Sequence, residues 1–393
     1  MITRRFGRTQ IQVPLFSTGG MRYQQDWKSA VPEELDLKVQ SNVQEIIEKS
    51  LELGLRHIET ARGYGTSEYH LGLAFRNIKR EDYILQTKVP PKESPDEFRE
   101  NLDKSLELLG VEHVDLLGIH GINNEETLDW AIRKGGCMEV VREYQEKGRI
   151  GKVGFSTHGQ RKGILAAIES NEFDYVNLHY YYIDQGLEPC LQAAHERDMG
   201  IFIISPSDKG GMLYKAPEKL KKLTEPYSPM VFNDLFCLRD PRIHTLSLGA
   251  ARPSDFDEHM KAAEIFAKGD FSEVNTIEAR LDHTLKGTVG ESLLSDIRSL
   301  PDWDEVPHGV NLRVILRLWS IAKAFDMVEY SKMRYNLIGN GGHWFPGDRP
   351  SEESFGELKD FLKDFKEGEA LYEALHEASD LLKGEEKKRL SQS

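Results

Sequence analysis

Residues 55–72 read Leu-Arg-His-Ile-Glu-Thr-Ala-Arg-Gly-Tyr-Gly-Thr-Ser-Glu-Tyr-His-Leu-Gly. The run Leu55 to Glu59 reads as a strand carrying Leu55 and Ile58. Gly63 and Gly65 break it on either side of Tyr64, and a helix begins near Thr66-Ser67-Glu68. Glycines flanking an aromatic residue at a strand end allow turn conformations that a side chain forbids, so the phenol of Tyr64 is expected to project from the rim.

Working outward, the same strand-then-helix beat repeats. Residues 1 to 22 read as a hairpin leading into a first strand that closes on Gly19-Gly20-Met21. Ser41 and Gln44 form a capping-box pattern ahead of Val43, Ile46, Ile47 and Leu51 at helical spacing, and Gly54 stops that run. Tyr83 to Val89 reads as a strand; Ser94-Pro95-Asp96-Glu97 opens a helix with Phe98, Leu102, Leu106 and Leu109 on one face, stopped by Gly110. Val114 to Ile119 is an apolar strand ending at His120. A single helix is expected over Glu125 to Glu146, then strands at Ile150 to Phe155, Tyr175 to Tyr180, Ile201 to Ile204 and Thr245 to Leu248, with helices at 160–170, 187–197 and 253–267. Apolar strands alternating with amphipathic helices predict a parallel sheet covered by helices, and eight units predict a (β/α)8 barrel with an N-terminal β-hairpin. No Gly-x-Gly-x-x-Gly opens a helix after the first strand, so a doubly wound dinucleotide fold lacks its fingerprint.

A chain of 393 residues exceeds the roughly 250 of such a barrel. We therefore expect a barrel over 1–268 and a mainly helical extension over 269–393. A formal net charge of −14 argues against nucleic-acid or anionic-membrane partners. With no signal-like or membrane-length apolar run, a cytoplasmic location is expected. Cys137, Cys190 and Cys237 are few, odd in number and widely spaced, which fits free thiols in a reducing compartment.

Glu59, Tyr64, Lys88 and His120 all fall at carboxyl ends of adjacent strands, where barrel active sites lie. As a set they suit carbonyl reduction. A phenol with an unperturbed pKa of about 10 stays protonated at neutral pH and can serve as general acid. Lys88 would lower that pKa, Glu59 would orient Lys88, and His120 would donate to the carbonyl oxygen.

Ile58 to Glu68 resembles the aldo-keto reductase signature, in which a strand ends in Asp-Thr-Ala and a Tyr-Gly-x-Ser-Glu loop follows; Glu59 stands where that aspartate would be. The resemblance implies a catalytic set of Tyr64, Lys88, His120 and Glu59, with the longer carboxylate altering rate more than abolishing chemistry. It also implies a nicotinamide cofactor. Gly20 and Met21 end the first strand beside it. Ser156, with Thr157 in place of the family's usual asparagine, and Asn177 would hold the carboxamide. Ser205, Ser207 and Gly210 match the loop around the pyrophosphate, with Ile204 where many members have a stacking tyrosine. Gly249, Arg252, Asp255 and Glu258 resemble the adenosine turn, and Arg252, read as the only nearby cation, tilts the expectation toward NADP(H) over NAD(H).

The extension is similar to the C-terminal region of a ferredoxin-like aldo-keto reductase subgroup, but 300–311 contains no cysteine, so no iron–sulfur cluster is expected. Val314, Leu316, Leu318, Ile321 and Ala322 form its expected core face. His343-Trp344-Phe345-Pro346-Gly347 fits either pocket lining or anchoring to the barrel, with anchoring the expected role. The charged end, Gly384 to Ser393, is expected to fray.

Two other functions suit parts of the sequence. A metal-dependent barrel hydrolase or isomerase would use His57, Glu59, His120, His158 and His179, although there is no His-x-His strand ending and Lys88 would have no role. A non-catalytic nicotinamide sensor or partner-binding protein on the same scaffold is suggested by Glu59, Ile204 and the extension. The expected substrate is a small carbonyl compound; its identity and any protein partner are not legible in the residues.

Overall fold

The computed structural model describes residues 1–387. β1 (Thr3–Arg5) and β2 (Gln12–Pro14) pair antiparallel. β3 (Phe16–Gly19), β4 (His57–Glu59), β5 (Ile84–Val89), β6 (Val114–His120), β7 (Ile150–Ser156), β8 (Tyr175–Leu178), β9 (Gly200–Ile203) and β10 (Thr245–Leu248) close into a parallel barrel in which β10 returns to β3. Ten helices flank the strands: α1 (Leu37–Glu52), α2 (Ser67–Ala74), α3 (Pro95–Leu109), α4 (Glu125–Ile132), α5 (Cys137–Glu146), α6 (Arg161–Glu169), α7 (Glu188–Glu196), α8 (Glu218–Thr224), α9 (Pro229–Leu238) and α10 (Asp257–Lys268). The extension then adds α11 (Ser272–Val289), α12 (Glu291–Ser299), α13 (Leu312–Phe325), α14 (Val328–Tyr335), α15 (Phe355–Leu362) and α16 (Gly368–Leu382). Among the described residues no helix is long and apolar enough to cross a membrane.

The barrel interior is built in layers. At the amino end the β1–β2 hairpin drives Phe6 under the strands, where Phe6, Val13, Leu116, Tyr175 and Phe202 form a separate buried cluster. Gly200 makes that plug possible, because a Cβ there would stand 2.6 Å from the Phe6 ring. Above it lies a polar layer: the Ser17 hydroxyl meets His57 Nδ1 at 2.7 Å and Thr245 at 2.8 Å, and His57 Nε2 meets Gln86 Oε1 at 2.9 Å. With Gln86 Oε1 as acceptor, Nε2 of His57 carries the proton. Burial, outweighing the bond to Gln86, pushes its pKa down to about 4.

Several boundaries differ from the sequence reading. α1 starts at Leu37 because Asp36 caps it, accepting from the amides of Lys38 and Val39, so Ser41 lies inside the helix. The helix expected over Glu125 to Glu146 is two helices, broken where Gly135 takes φ +74°. Between β9 and β10 the chain adds α8 and α9, which the alternation did not reveal. Gly110 does end α3 in the left-handed conformation, and the Ser94 hydroxyl accepts from the Glu97 amide.

In the extension, α13 is buried over most of its circumference through Leu312, Ile315, Leu316, Leu318, Trp319, Ile321, Ala322 and Phe325, packing on α11, α14 and α16. Val314 is only half-buried. The chain end is held rather than frayed through Lys387: the amides of Gly384 and Lys387 donate to Asn336, and Arg349 pairs with Glu386. Residues 388–393 lie outside the described residues.

Candidate active site

Glu59 ends β4, Lys88 is the next-to-last residue of β5 and His120 ends β6, so three adjacent strands deliver three side chains to one mouth. Lys88 is 2 % exposed and ion-paired with Glu59 Oε2, and its ammonium donates to the Thr60 carbonyl at 2.8 Å. Burial by itself would lower the lysine's pKa; Glu59 and the Tyr64 hydroxyl outweigh it and raise it, which keeps the ammonium charged. The stem of Lys88 passes Gly118, where a Cβ would come within 2.8 Å of Cγ. The extra methylene of Glu59 is accommodated by two residues that motif reading missed. Ser247 of β10 donates to Glu59 Oε1 at 2.9 Å, and Gly19 leaves space that a Cβ would take, 3.2 Å from the same oxygen.

Tyr64 is half-buried on the loop after β4. Its ring centroid lies 5.0 Å from the Lys88 ammonium, and the His120 ring meets it edge-on at 5.6 Å. The rest of the motif fixes this loop. Ser67 donates to the Gly20 carbonyl at 2.8 Å, and buried Glu68 accepts from Thr87 and pairs with Arg62 at 2.9 Å. Gly65, at φ +55°, has the Asp26 carbonyl only 1.9 Å from where a Cβ would stand.

A cleft of about 1510 Å³ opens above these groups. Glu59, Tyr64, Lys88, His120, Met21, Ser156, Ser205, Ser207, Gly249, Arg252, Asp255 and Glu258 all line it. Gly20, Thr157, Asn177 and Gly210 do not. Gly20 sits behind Glu59, and Gly210 closes a turn on the Pro206 carbonyl. Thr157 faces away from the cleft because its hydroxyl is used locally, donating to Ile122 and accepting from the Gly159 amide. Asn177 is aligned by register with Ser156 and, through it, with His120 across β8, β7 and β6. Both its side-chain amide atoms are buried without a partner among the described residues. Such orphaned atoms are uncommon, and they suit a planar carboxamide ligand that both donates and accepts.

The sequence reading of Arg252 as the only nearby cation is corrected: Arg22, Lys209 and Lys221 also line the cleft, and Arg252 is paired with Asp255 at 2.9 Å. Ile204 lines the cleft with an aliphatic side chain. Sequence reading also missed the buried Asp234–His259 pair (2.5 Å) joining α9 to α10 beneath the cleft. It underweighted Trp344 as well. That ring packs 5.0 Å from His120 and lines the cleft, so the extension forms one wall of the site. Gly121, at φ +86°, admits it, since a Cβ would lie 2.5 Å from the indole.

Of the histidines in the metal reading, His158 and His179 meet ring to ring at 4.4 Å. His57 lies in the polar core layer, His179 bonds Tyr181, and among the described residues no group of three or more His, Cys, Asp or Glu forms a ligand set. The three cysteines are separately buried and free.

The sequence is 23% identical over 179 residues to an NADH-specific methylglyoxal reductase of Escherichia coli, covering 40% of this chain and 54% of that one, so the chain spans about half the length of that relative. It is 24% identical over 255 residues to an uncharacterized oxidoreductase of Bacillus subtilis, covering 56% and 81%. The fold is similar to an aldo-keto reductase of Bacillus halodurans in its holo form (TM-score 0.57, 20% identity, 67% of this chain and 91% of that one). It is also similar to a thermostable aldo-keto reductase in complex with epalrestat (TM-score 0.58, 23% identity, 71% and 100%). The Aldo/keto reductase family model matches residues 17–249, which is more than half of the chain and takes in every strand of the barrel. With Tyr64, Lys88 and His120 gathered at the mouth of that barrel, the chain belongs to the aldo/keto reductase family.

Proposed function

We propose that the protein reduces an aldehyde or ketone to an alcohol with NAD(P)H, using Tyr64 as general acid. One observation carries this reading: a buried lysine, kept charged by Glu59, lies 5.0 Å from the ring of Tyr64, which also meets the His120 ring at the barrel mouth. A reduced nicotinamide bound beside Ser156 and Asn177 would supply the hydride. Tyr64 gives its proton to the carbonyl oxygen as charge develops there, Lys88 stabilises the phenolate left behind, and His120 orients the oxygen. Glu59 holds Lys88 in place and Ser247 holds Glu59.

NADP(H) is the proposed cofactor over NAD(H). Support comes from Arg22, Lys221 and Arg252 along the cleft, which suit an additional phosphate; the NADH specificity of the Escherichia coli relative points the other way. In this reading the protein works in the cytoplasm on small carbonyl compounds, with neither nucleic acid nor membrane as partner. Titration with NADPH and NADH, followed by nicotinamide fluorescence, tests it. Micromolar binding with NADPH tighter is expected, and binding of neither would overturn it.

A further inference from the structure

The catalytic cleft continues past the barrel. His158, Lys209, Arg334, Trp344 and Phe345 line it and also line a second chamber of about 580 Å³ enclosed between the barrel mouth and the helices of the extension. The contacts run in sequence from the reaction centre outward: the His120 ring meets Tyr64 on one side and Trp344 on the other, and the neighbouring Phe345 ring carries the Arg334 guanidinium at 4.2 Å. Arg334 is thus a half-buried cation a few side chains from the proposed proton donor.

The charge pattern around it is unusual for this molecule. The chain has 65 acidic against 51 basic residues, and the acids of the chamber are already engaged. Asp184 holds Arg317 at 3.0 Å, Asp302 holds Arg313, and Asp282 accepts from the Tyr182 hydroxyl at 2.8 Å. Arg334 has no carboxylate partner among the described residues; only an aromatic face supports it. Two further donors of the chamber wall, Trp303 Nε1 and Arg313 Nη1, are buried with no acceptor among the described residues. His179, on the same wall, is held neutral by burial and by its cationic neighbours Lys209, Arg334 and Arg317. Buried donors without acceptors are unfavourable, and an anion between them and the half-buried Arg334 guanidinium would satisfy them. A planar guanidinium stacked on a ring presents its N–H edge to a carboxylate or phosphate in bidentate fashion.

From this we infer that the substrate is a carbonyl compound bearing a carboxylate or phosphate, seated on Arg334 with its carbonyl at Tyr64 and His120. The inference deepens the reductase reading and rests on it for the carbonyl end only. Arg334 is a specificity residue here and takes no part in proton transfer.

The test compares pairs differing in charge, 4-oxobutanoate against butanal and glyceraldehyde 3-phosphate against glyceraldehyde, in wild type, Arg334→Met and Arg334→Lys. Wild type is expected to favour at least one anionic member by roughly 10- to 100-fold in kcat/KM, and the favoured pair names carboxylate or phosphate. Arg334→Met should erase the preference while leaving the neutral aldehydes within about twofold, and Arg334→Lys should restore part of it. No preference in wild type, or an equal loss on neutral and anionic substrates in Arg334→Met, overturns the proposal. A binding arm is independent of turnover. Calorimetric titration with 4-hydroxybutanoate and with inorganic phosphate, set against 1,4-butanediol, should show anion binding that Arg334→Met loses. Anion binding without reduction of any aldehyde would keep the anion seat and sink the reductase reading. Reduction of butanal without anion binding would do the reverse.

Discussion

The two sides of the cleft are built on different principles. On the barrel side, charges are matched internally: Lys88 has Glu59 and the Thr60 carbonyl, Glu59 also has Ser247, and the loop beneath Tyr64 is fixed by Ser67 and Glu68. On the extension side, Trp344 packs against His120 while Arg334 faces the cleft without a carboxylate partner among the described residues. A closed network gives a fixed geometry suited to one chemical step, whereas an open one leaves donors for a ligand. In the proposed reading, chemistry belongs to the barrel and substrate choice to the extension.

The comparison breaks most visibly at Lys88. Lys88→Met should lower kcat by roughly 10²- to 10⁴-fold, and because it strands the Glu59 carboxylate it should also destabilise the fold by about 3–5 kcal/mol. Adding Glu59→Gln should recover most of the stability and none of the rate. Rate recovery in the double variant, read by steady-state kinetics beside urea denaturation, would show that the pair is structural only.

The next effect belongs to the barrel interior. His57 titrates near 4 when folded and near 6.5 when unfolded, so the unfolded chain binds more protons between these values and stability falls as pH drops through that window. His57 should account for about 3 kcal/mol of that loss. His57→Gln should therefore flatten the acid limb of a stability-against-pH curve by about one proton, and an unchanged slope would contradict the neutral core assignment.

Smaller still is the seam between the two sides. Gly121→Ala places a side chain at φ +86° and against the Trp344 indole, and should cost about 1–3 kcal/mol. Because the indole must move, KM should rise more than kcat falls; the opposite split would mean that Trp344 serves the chemical step.

Much of the barrel side was legible in the sequence because its signals are local. The strand ending at Glu59, the glycines around Tyr64, the Ser94 cap and the Gly110 stop each lie within a few residues of what they determine. What escaped was set by partners distant in the chain. Ser247 reaches Glu59 across 188 positions, Asn123 meets His343 across 220, and Arg22 and Lys221 join Arg252 only once the barrel closes. The break between α4 and α5 did carry a local signal, Gly135-Gly136, which the apolar spacing on either side outweighed. Thr157 resembled a cofactor contact by position, yet its hydroxyl is taken by the Ile122 carbonyl, a partner that only the β6–β7 register supplies.

In the proposed mechanism Tyr64 delivers the proton while the cleft around it binds the cofactor independently. Tyr64→Phe tests it most directly, with NADPH affinity and single-turnover oxidation of bound NADPH by an aldehyde measured on the same preparation. Affinity should be unchanged and the rate lower by roughly 10²- to 10⁴-fold. A variant that binds NADPH and reduces the aldehyde at the wild-type rate would contradict it.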